Sequence, residues 1–342
     1  MNKNFFYKKK ILITGIDGFV GSNLAKRLVV LGAKVSGIIQ KKNKKSLLNY
    51  EKINKKCHLY KGDIYNNNFI KKIIKNNKFE IIFHLAAQVE VGVANYDPFD
   101  TWESNIRGTY TILNNLIKNK NIKSIIVASS DKSYGEYPKK HLPYKESYLS
   151  KAIYPYDVSK ACADMISKSY SSKLFNLPII TTRFANIYGP GQLHFSALIP
   201  DIIKSLITGK KFIPRGNGND IRDYVFIDDI IDVYLLLSKK LYKNQNLKGE
   251  VFNAGTNQQH KVREIIKKFY SLNNQTKEYQ EILQKMKNKK TTGEINNQFM
   301  DYSKLNKFFG WKPKHDFNTT IKTTYEWYEE YFKKIFKEVS KL

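Results

Sequence analysis

The sequence has few of the residues that cross-link small secreted domains, and it has no long apolar run. Two cysteines, Cys57 and Cys162, lie far apart without the spacing of a metal site, so we expect reduced thiols packed against the core and no bound metal. No apolar run approaches the roughly 20 residues that span a bilayer. In residues 1–10 the aromatic run at residues 5–7 precedes the lysine run at residues 8–10, which is the reverse of a signal peptide's order. The sequence therefore predicts a soluble, cytoplasmic protein with no membrane association.

Acidic residues are also scarce. The chain has 59 Lys and Arg against 30 Asp and Glu, which leaves a formal net charge of +29. Such a charge favours nucleic acid or an anionic membrane as a partner. However, the excess is mostly lysine, mixed with Asn and Ile in segments predicted to lie on the surface, as an AT-biased coding sequence would produce. We therefore predict no nucleic-acid partner, although a positive field attracts any anionic substrate, including a nucleotide diphosphate.

The residues that are present predict an α/β protein. With 342 residues and 42% hydrophobic content, the chain can build one large or two moderate domains. Apolar strands are predicted at residues 11–13, 34–39, 58–60, 81–87, 125–128 and 179–182, with helices between them. This alternation predicts a parallel sheet with right-handed crossovers, which is a doubly wound, Rossmann-type architecture.

A glycine-rich turn follows the first strand. Gly15, Gly18 and Gly21 are spaced G-x-x-G-x-x-G between that strand and a helix. Glycines permit a tight turn and let the backbone approach a pyrophosphate at the helix N-terminus. Ala86 and Ala87 leave space at the end of the fourth strand, where open α/β sheets bind ligands. The pattern predicts a dinucleotide cofactor, and the alternative is a glycine-rich turn without a ligand.

The residues after the second and third strands bear on which dinucleotide binds. A carboxylate after the second strand normally accepts hydrogen bonds from a ribose hydroxyl, but this chain has Gln40, Lys41 and Lys42 there. The two cations can accommodate a ribose phosphate, so NADP is possible beside NAD, unless the lysines simply belong to a solvated loop. Asp63, in the loop after the third strand, is placed to meet the adenine amine.

Beyond residue 186 the alternation becomes irregular, and we expect a smaller C-terminal α/β lobe that binds the substrate. A strand at residues 251–253 is expected to return to the sheet. The predicted division assigns residues 1–186 and 223–256 to the dinucleotide-binding domain, and residues 187–222 and 257–342 to the lobe.

Candidate reaction chemistry lies between residues 124 and 160. Tyr156 and Lys160 are four residues apart in a predicted helix and share a face, so the ammonium can sit beside the phenol and lower its pKa. Ser130, at the end of a buried strand, can hydrogen-bond the same substrate oxygen. Together they predict a proton-transfer unit for oxidising an alcohol. In a chain rich in both residues, a Tyr-x-x-x-Lys pair by itself is equally compatible with an ordinary helix surface.

Two further polar residues have structural interpretations. His84 ends the fourth strand, and we expect a hydrogen-bonded core histidine there rather than a catalytic one. Asn105 falls inside a helix predicted over residues 98–117. Asparagine is unfavourable in a helix, so its side chain either faces solvent or has a specific task.

Motifs that occur in order over nearly the whole chain resemble a known family. They are Thr14-Gly-x-x-Gly-Phe-x-Gly, His84-Leu-Ala-Ala, Asn105-x-Arg-Gly-Thr, Ser130 with Tyr156-x-x-x-Lys160, Asn186-x-Tyr-Gly-Pro and Arg222-Asp-Tyr-Val. This set resembles the extended short-chain dehydrogenases/reductases, in the NAD-dependent nucleotide-sugar epimerase/dehydratase group.

The resemblance implies a role for each matched residue. Tyr156 is the catalytic base, Lys160 its electrostatic partner and ribose ligand, and Ser130 the hydroxyl partner. The implied cofactor-binding residues are Gly15, Gly18, Phe19, Val20, Gly21, Asp63, Ile64, Leu85, Ala86, Ala87, Tyr156 and Lys160. The implied substrate-binding residues are Gln88, Asn105, Asn186 and Arg222, with Asn105 also a structural helper and the last two near the diphosphate, which arginine binds bidentately. A homodimer packed through the helices of Asn105 and Tyr156, and a place in cell-surface polysaccharide biosynthesis, are implied as well.

Asp131 and Lys132 bear on the reaction type. In the family that the motifs resemble, 4,6-dehydratases carry an acid after the serine, whereas epimerases tend to have small or apolar residues. An Asp-Lys pair departs from the common Asp-Glu pair but resembles the CDP-glucose 4,6-dehydratases and the inverting UDP-N-acetylglucosamine dehydratases. The implied reaction oxidises carbon 4 of an NDP-hexose, removes the hydrogen on carbon 5 with Lys132 or a neighbour, expels the 6-hydroxyl with protonated Asp131, and returns hydride to carbon 6. Asp131 then needs a raised pKa, which the adjacent cation opposes.

Other functions are compatible with the sequence. The same Tyr156 would serve a nucleotide-sugar 4-epimerase, and Asp131-Lys132 would then be an ion pair without a chemical role. A non-catalytic anion- or RNA-binding Rossmann protein is a more distant alternative, as is a structural subunit. No readable pattern identifies the nucleotide base or the hexose.

Overall fold

Twelve strands are present in the computed structural model, which describes residues 4–41, 43–287, 289 and 293–339. They are β1 Lys10–Thr14, β2 Lys34–Ile39, β3 His58–Lys61, β4 Ile81–His84, β5 Ser124–Ala128, β6 Ile179–Phe184, β7 Asn186–Tyr188, β8 Ile221–Arg222, β9 Tyr224–Phe226, β10 Val251–Ala254, β11 His260–Lys261 and β12 Asn297–Gln298.

The α-helices are α1 Phe19–Val30, α2 Leu47–Tyr50, α3 Asn67–Asn76, α4 Val91–Tyr96, α5 Phe99–Thr101, α6 Gly108–Asn114, α7 Pro155–Ser171, α8 Leu198–Thr208, α9 Ile227–Lys243, α10 Val262–Leu272, α11 Thr276–Met286, α12 Ser303–Phe309 and α13 Phe317–Val339. A π-helical turn, Trp102–Arg107, joins α5 to α6, and short 3₁₀ turns occur at Ile53–Lys56, Asp131–Tyr134, Lys139–His141 and Gln245–Leu247. None of the described helices is both long and apolar enough to cross a membrane.

A seven-stranded parallel sheet organises the molecule, in the order β10-β6-β5-β4-β1-β2-β3. Successive side chains of a strand point to opposite faces, and both faces are covered by helices, so the strands are continuous apolar runs. Ile11 and Ile13 belong to the larger core with residues of α1 and α9, whereas Leu12 belongs to a second core with residues of α3 and α6. The predicted Rossmann-type, doubly wound fold is confirmed.

The strand order reverses between β1 and β4. From β1 the chain builds outward through β2 and β3 on one side, and then through β4, β5, β6 and β10 on the other. Ligands of open α/β sheets bind in the crevice that such a reversal leaves at the carboxyl ends of the strands. Thr14 and His84 are the last residues of the two strands, so the crevice opens above them.

Two small sheets lie outside the large one: β7 pairs with β9, and β8 lies between β11 and β12. The strand expected at residues 251–253 is present as β10 and forms the edge of the large sheet. The division into domains stays a prediction, although every strand of the large sheet falls within the segments assigned to the dinucleotide-binding domain. Cys57 and Cys162 are free and half-buried.

The helix predicted over residues 98–117 differs from the structure. In its place are α5, the π-helical turn and α6, which ends at Asn114. A π turn holds an additional residue compared with an α-helical turn and is frequent at functional sites. Apolar spacing does not reveal such an insertion, which explains the difference.

Candidate active site

One cavity of about 1420 Å³ lies at the carboxyl ends of the sheet strands. Its wall contains all the residues predicted to be catalytic or to bind the cofactor, together with Gln88, Asn186 and Arg222. Small-molecule sites commonly measure about 300–1,000 Å³, so this one has space for two ligands side by side. Lys41 also lines it, beside exposed Gln40, whereas Lys42 lies outside the described residues.

The glycine turn leaves no space for side chains between β1 and α1. A Cβ at Gly21 would lie 2.1 Å from the carbonyl oxygen of Gly15, and one at Gly15 would lie 2.8 Å from the Cα of Ala86. Gly15 also has φ +68°, which favours glycine. The first turn of α1 contains no acid, so its free N–H groups present a positive end to the cavity. These features fit the pyrophosphate of a dinucleotide.

A buried chain of hydrogen bonds supports the adjoining wall. Thr14 Oγ1 accepts from the N–H groups of the two residues after His84, each at 3.1 Å, and lies 2.8 Å from His84 Nδ1. His84 Nε2 lies 3.0 Å from Thr109 Oγ1, which donates its proton to the carbonyl of Asn105 at 2.6 Å. Because the proton of Thr109 is used there, His84 must be protonated at Nε2 and accept at Nδ1. Burial lowers the pKa of His84 to about 3, with a further contribution from the charge of Lys160, so it is the neutral core histidine that was expected.

Asn105 has the specific task that its position in a helix suggested. Its Oδ1 accepts from the backbone N–H of Gln88 at 2.8 Å, and its Nδ2 donates to the Gln88 carbonyl at 3.0 Å and to Ser159 Oγ at 2.9 Å. Asn105 is 2% exposed and is not part of the cavity wall. The resemblance implied a direct contact with the substrate, which this position does not support. These contacts are those of a structural helper that holds Gln88 against α7.

The turn after β5 and the first turns of α7 bring Ser130, Tyr156 and Lys160 together. Lys160 Nζ is 5.8 Å from the centre of the Tyr156 ring and donates to the Ala128 carbonyl at 3.2 Å. Burial raises the pKa of Tyr156 above its usual range, Asp131 adds to this, and a hydrogen bond with Ser130 opposes it. The sequence predicted a lowered pKa for the Tyr156 phenol. The raised pKa contradicts that prediction for the protein chain alone. Burial also lowers the pKa of Lys160 to about 8.

Asp131 lies directly against this group. It is 4% exposed, its Oδ1 accepts from Ser130 Oγ at 2.9 Å, and its Oδ2 is buried with no hydrogen-bond partner among the described residues. Burial raises the pKa of Asp131, although Lys132 and Ser130 act in the opposite direction. The sequence left open whether burial or the adjacent cation determines the pKa of Asp131, and in the structure burial outweighs the cation. The neighbouring Asp157 also has its pKa raised by burial, to about 7.

Glu294 is a wall residue that sequence reasoning missed. Its Oε2 lies 3.1 Å from Nη2 of Arg222 and 3.8 Å from Nζ of Lys132. Burial by itself would raise the pKa of Glu294, but Lys132 and Arg222 outweigh it and the pKa is lowered, so the group is a carboxylate. Its sequence surroundings, rich in Lys, Thr and Asn, contain no pattern that marks it.

His194 is a second wall residue that was missed. It bonds Ser196 and lies 3.6 Å from Glu90, and Arg215 donates to the Ser196 carbonyl at 2.5 Å. All four residues line the cavity. No spacing signal in the sequence connects them, because Glu90 and Arg215 come from segments far apart in the chain.

Comparisons with known proteins agree with this geometry. A model of the family described as GDP-mannose 4,6 dehydratase matches residues 12–324. The dTDP-D-glucose 4,6-dehydratase of Homo sapiens is 29% identical over 332 residues, which cover 95% of this chain and 91% of that protein.

Solved structures include both reaction types. The dTDP-glucose 4,6-dehydratase of Bacillus anthracis, solved in complex with NAD, is 28% identical with a TM-score of 0.81 and covers 94% of this chain and 97% of that one. The UDP-glucose 4-epimerase of Thermotoga maritima, solved with UDP-glucose, is 25% identical with a TM-score of 0.80 and covers 94% and 99%.

The family match spans most of the chain and includes the glycine turn, the Ser130 turn and the Tyr156 helix. The match confirms the predicted family. Together with the relatives, it confirms the predicted class of enzyme, a nucleotide-sugar dehydratase or epimerase. The chain belongs to the GDP-mannose 4,6-dehydratase family of NAD-dependent epimerases and dehydratases.

Proposed function

We propose that the protein is an NAD-dependent 4,6-dehydratase that converts an NDP-hexose into an NDP-4-keto-6-deoxyhexose. The observation that carries the proposal is the buried Asp131 with its raised pKa, directly beside Ser130 and Tyr156. Removing a hydroxyl as water needs a proton donor at neutral pH, and a carboxyl group kept neutral by burial provides one. Epimerisation at carbon 4 needs no such acid.

Each residue of the site has a separate role in the proposed reaction. Tyr156 accepts the proton of the 4-hydroxyl as a phenolate, which Ser130 and the Lys160 ammonium would stabilise, and the bound cofactor supplies the hydride acceptor. Oxidation at carbon 4 acidifies the hydrogen on carbon 5. A base, either Lys132 in its neutral amine form or a neighbour, takes that hydrogen as a proton while Asp131 gives its proton to the departing 6-hydroxyl. The hydride then returns to carbon 6, so the cofactor ends as it began. The roles of these residues are part of the proposal.

NAD is the cofactor that the family and its solved relatives support. The glycine turn and the N-terminus of α1 would hold its pyrophosphate, and Lys160 its ribose. With Gln40 and Lys41 at the end of β2 instead of an acid, NADP stays an alternative.

A homodimer is part of the proposal. Several large apolar side chains are exposed on α4, α5, α6 and α7, namely Val93, Tyr96, Phe99, Tyr110 and Met165. Helices α4, α5 and α6 each contact α7, and exposed apolar side chains on neighbouring helices are typical of an interface. A cytoplasmic location and a place in the synthesis of cell-surface polysaccharides complete the proposal, as the family resemblance implied.

The second candidate is a 4-epimerase, favoured by the similarity to the T. maritima epimerase. To decide, purified protein with NAD is offered dTDP-glucose, CDP-glucose, GDP-mannose and UDP-glucose in turn, and product mass and cofactor absorbance are followed. Loss of one water without net cofactor reduction is expected with at least one substrate. An unchanged mass with a new sugar configuration would show the epimerase instead.

A further inference from the structure

The carboxylate of Glu294 joins two cations that the sequence assigned to separate tasks. Its Oε2 is 3.1 Å from Arg222, predicted to bind the diphosphate, and 3.8 Å from Lys132, predicted to act at carbon 5. All three line the cavity. An acid in the pocket of an anionic substrate is unfavourable unless it has a specific task, because it repels the phosphates.

The backbone around Glu294 is firmly attached to the wall. Strand β12, which begins three residues later, pairs in parallel with β8, and Gln298 lies opposite Arg222. Arg222 Nη1 donates to the carbonyl of Asn296 at 3.1 Å, and Asn296 Nδ2 donates to Glu136 Oε1 at 2.5 Å. Glu294 is thus held next to Arg222 by main-chain contacts as well as by its own side chain.

Lys132, in contrast, needs an external partner to be held in one place. Its ammonium ends a flexible four-carbon chain, and its side chain is 14% exposed. The adjacent Asp131 is a poor partner, because burial disfavours its ionised form. Among the described residues, the ion pair within 4 Å that Lys132 forms is the one with Glu294.

We propose that Glu294 is a positioning residue of the dehydration step: it draws the ammonium of Lys132 toward itself and away from Asp131. This inference rests on the proposed 4,6-dehydratase function. Without Glu294, Lys132 is free to turn toward Asp131 and favour the ionised form, which cannot donate a proton to the 6-hydroxyl. Oxidation at carbon 4, which depends on Tyr156, does not need Glu294.

Loss of the Glu294 carboxylate changes the pKa of Asp131 in a defined direction. A cation that turns toward a carboxyl group lowers the pKa of that group. The charged and titratable groups that face Asp131 come from its own turn, from α7, from β8 and from the loop before α7, and they are Lys132, Asp157, Tyr156, Arg222 and Tyr144. In E294Q the decline of water loss with rising pH should therefore begin at lower pH than in the wild type.

The test compares wild type, E294Q and E294D, with E250Q as a matched control, because Glu250 pairs with Lys304 at 2.6 Å away from the cavity. For E294Q we expect water loss to fall by about 10- to 100-fold while transient cofactor reduction changes by less than about 3-fold. E294D should recover part of the loss, and E250Q should match the wild type. Unchanged water loss in E294Q, or a raised KM with unchanged kcat, would overturn the inference, because the latter describes a substrate contact only.

A second measurement does not depend on turnover. Acylation of Lys132 by an amine-directed reagent, followed by peptide mass spectrometry, should increase about 3-fold or more in E294Q, because an ion pair holds and shields the amine. If the wild type loses no water from any nucleotide sugar, the dehydratase proposal fails, and unchanged Lys132 acylation in E294Q separately shows that Glu294 does not hold Lys132.

Discussion

At the level of single residues, the chemistry of the cavity depends on the protonation states of its titratable side chains. Burial dominates at each of them: it raises the pKa of Asp131 and of Tyr156, and it lowers the pKa of Lys160 to about 8. Burial disfavours every charged form, so acids retain protons and cations lose them. A carboxyl group and a phenol with raised pKa values are proton donors, so Tyr156 must lose its proton before it accepts one from the 4-hydroxyl.

Replacing Asp131 with Asn should separate the two halves of the reaction. The amide keeps the size of the side chain but cannot donate an acidic proton to the 6-hydroxyl. We expect water loss to fall by about 100-fold or more, while transient oxidation at carbon 4 continues. Product mass and cofactor absorbance in single-turnover reactions measure the two steps. Equal losses in both steps would contradict the assignment, and Asp232→Asn, which changes a surface acid outside the cavity, is the control.

The wild type should also show a defined pH dependence. Asp131 must be protonated to act, and its folded-state pKa is raised by burial. Water loss should therefore be retained above the ordinary titration range of an aspartic acid and decline as pH rises through the raised pKa. The rate of water loss across the pH range at saturating substrate measures this. A decline centred near pH 4 would show that Asp131 has an ordinary pKa.

At the level of elements, the glycine turn couples β1 to α1 without any intervening side chain. Gly21→Ala would place a Cβ 2.1 Å from the Gly15 carbonyl oxygen, so the N-terminus of α1 must move. We expect the Kd for NAD to rise by about 10-fold or more, because the free N–H groups of the helix no longer meet the pyrophosphate. Fluorescence titration measures binding. Gly92→Ala is the control, since nothing lies within 4 Å of a Cβ at that helical position, and tight NAD binding by Gly21→Ala would contradict the expectation.

Asn105 lies in the π-helical turn, and its side chain supports the backbone of Gln88. Asn105→Ala would leave the partly buried N–H and carbonyl of Gln88 without their Asn105 partners, at a cost of about 1–3 kcal/mol in the free energy of unfolding. Urea denaturation measures this change. Asn115→Ala removes hydrogen bonds nearer the surface and should cost less than about 1 kcal/mol. Equal costs for the two variants would show that the Gln88 contacts contribute nothing specific.

At the level of the whole molecule, the proposed homodimer places the exposed apolar side chains of α4 to α7 between two chains. Met165 on α7 is 70% exposed. Met165→Lys would bury an unpaired charge in that interface, which is costly, and we expect the variant to sediment as a monomer where the wild type sediments as a dimer. Val30→Lys is the control, because Val30 is 77% exposed but lies at the end of α1. A wild-type monomer would contradict the proposal.

The sequence determined a large part of the architecture. Alternating strands and helices, the glycine turn and the ordered motifs are local patterns, and each corresponds to a local feature of the backbone. For this reason the parallel sheet was predicted, and so were wall residues as far apart as Gly15 and Arg222. The main local error, a continuous helix over residues 98–117, came from a π turn to which apolar spacing is insensitive.

Tertiary structure alone decided how the site is charged. The pKa directions of Asp131 and Tyr156 depend on burial by segments distant in the chain, and the sequence predicted the opposite direction for Tyr156. The contact of Glu294 with Lys132 and Arg222 joins three segments that no spacing rule relates. Solvent exclusion and distances between charges arise only when the chain is packed, and these two quantities set the protonation states on which the proposed chemistry depends.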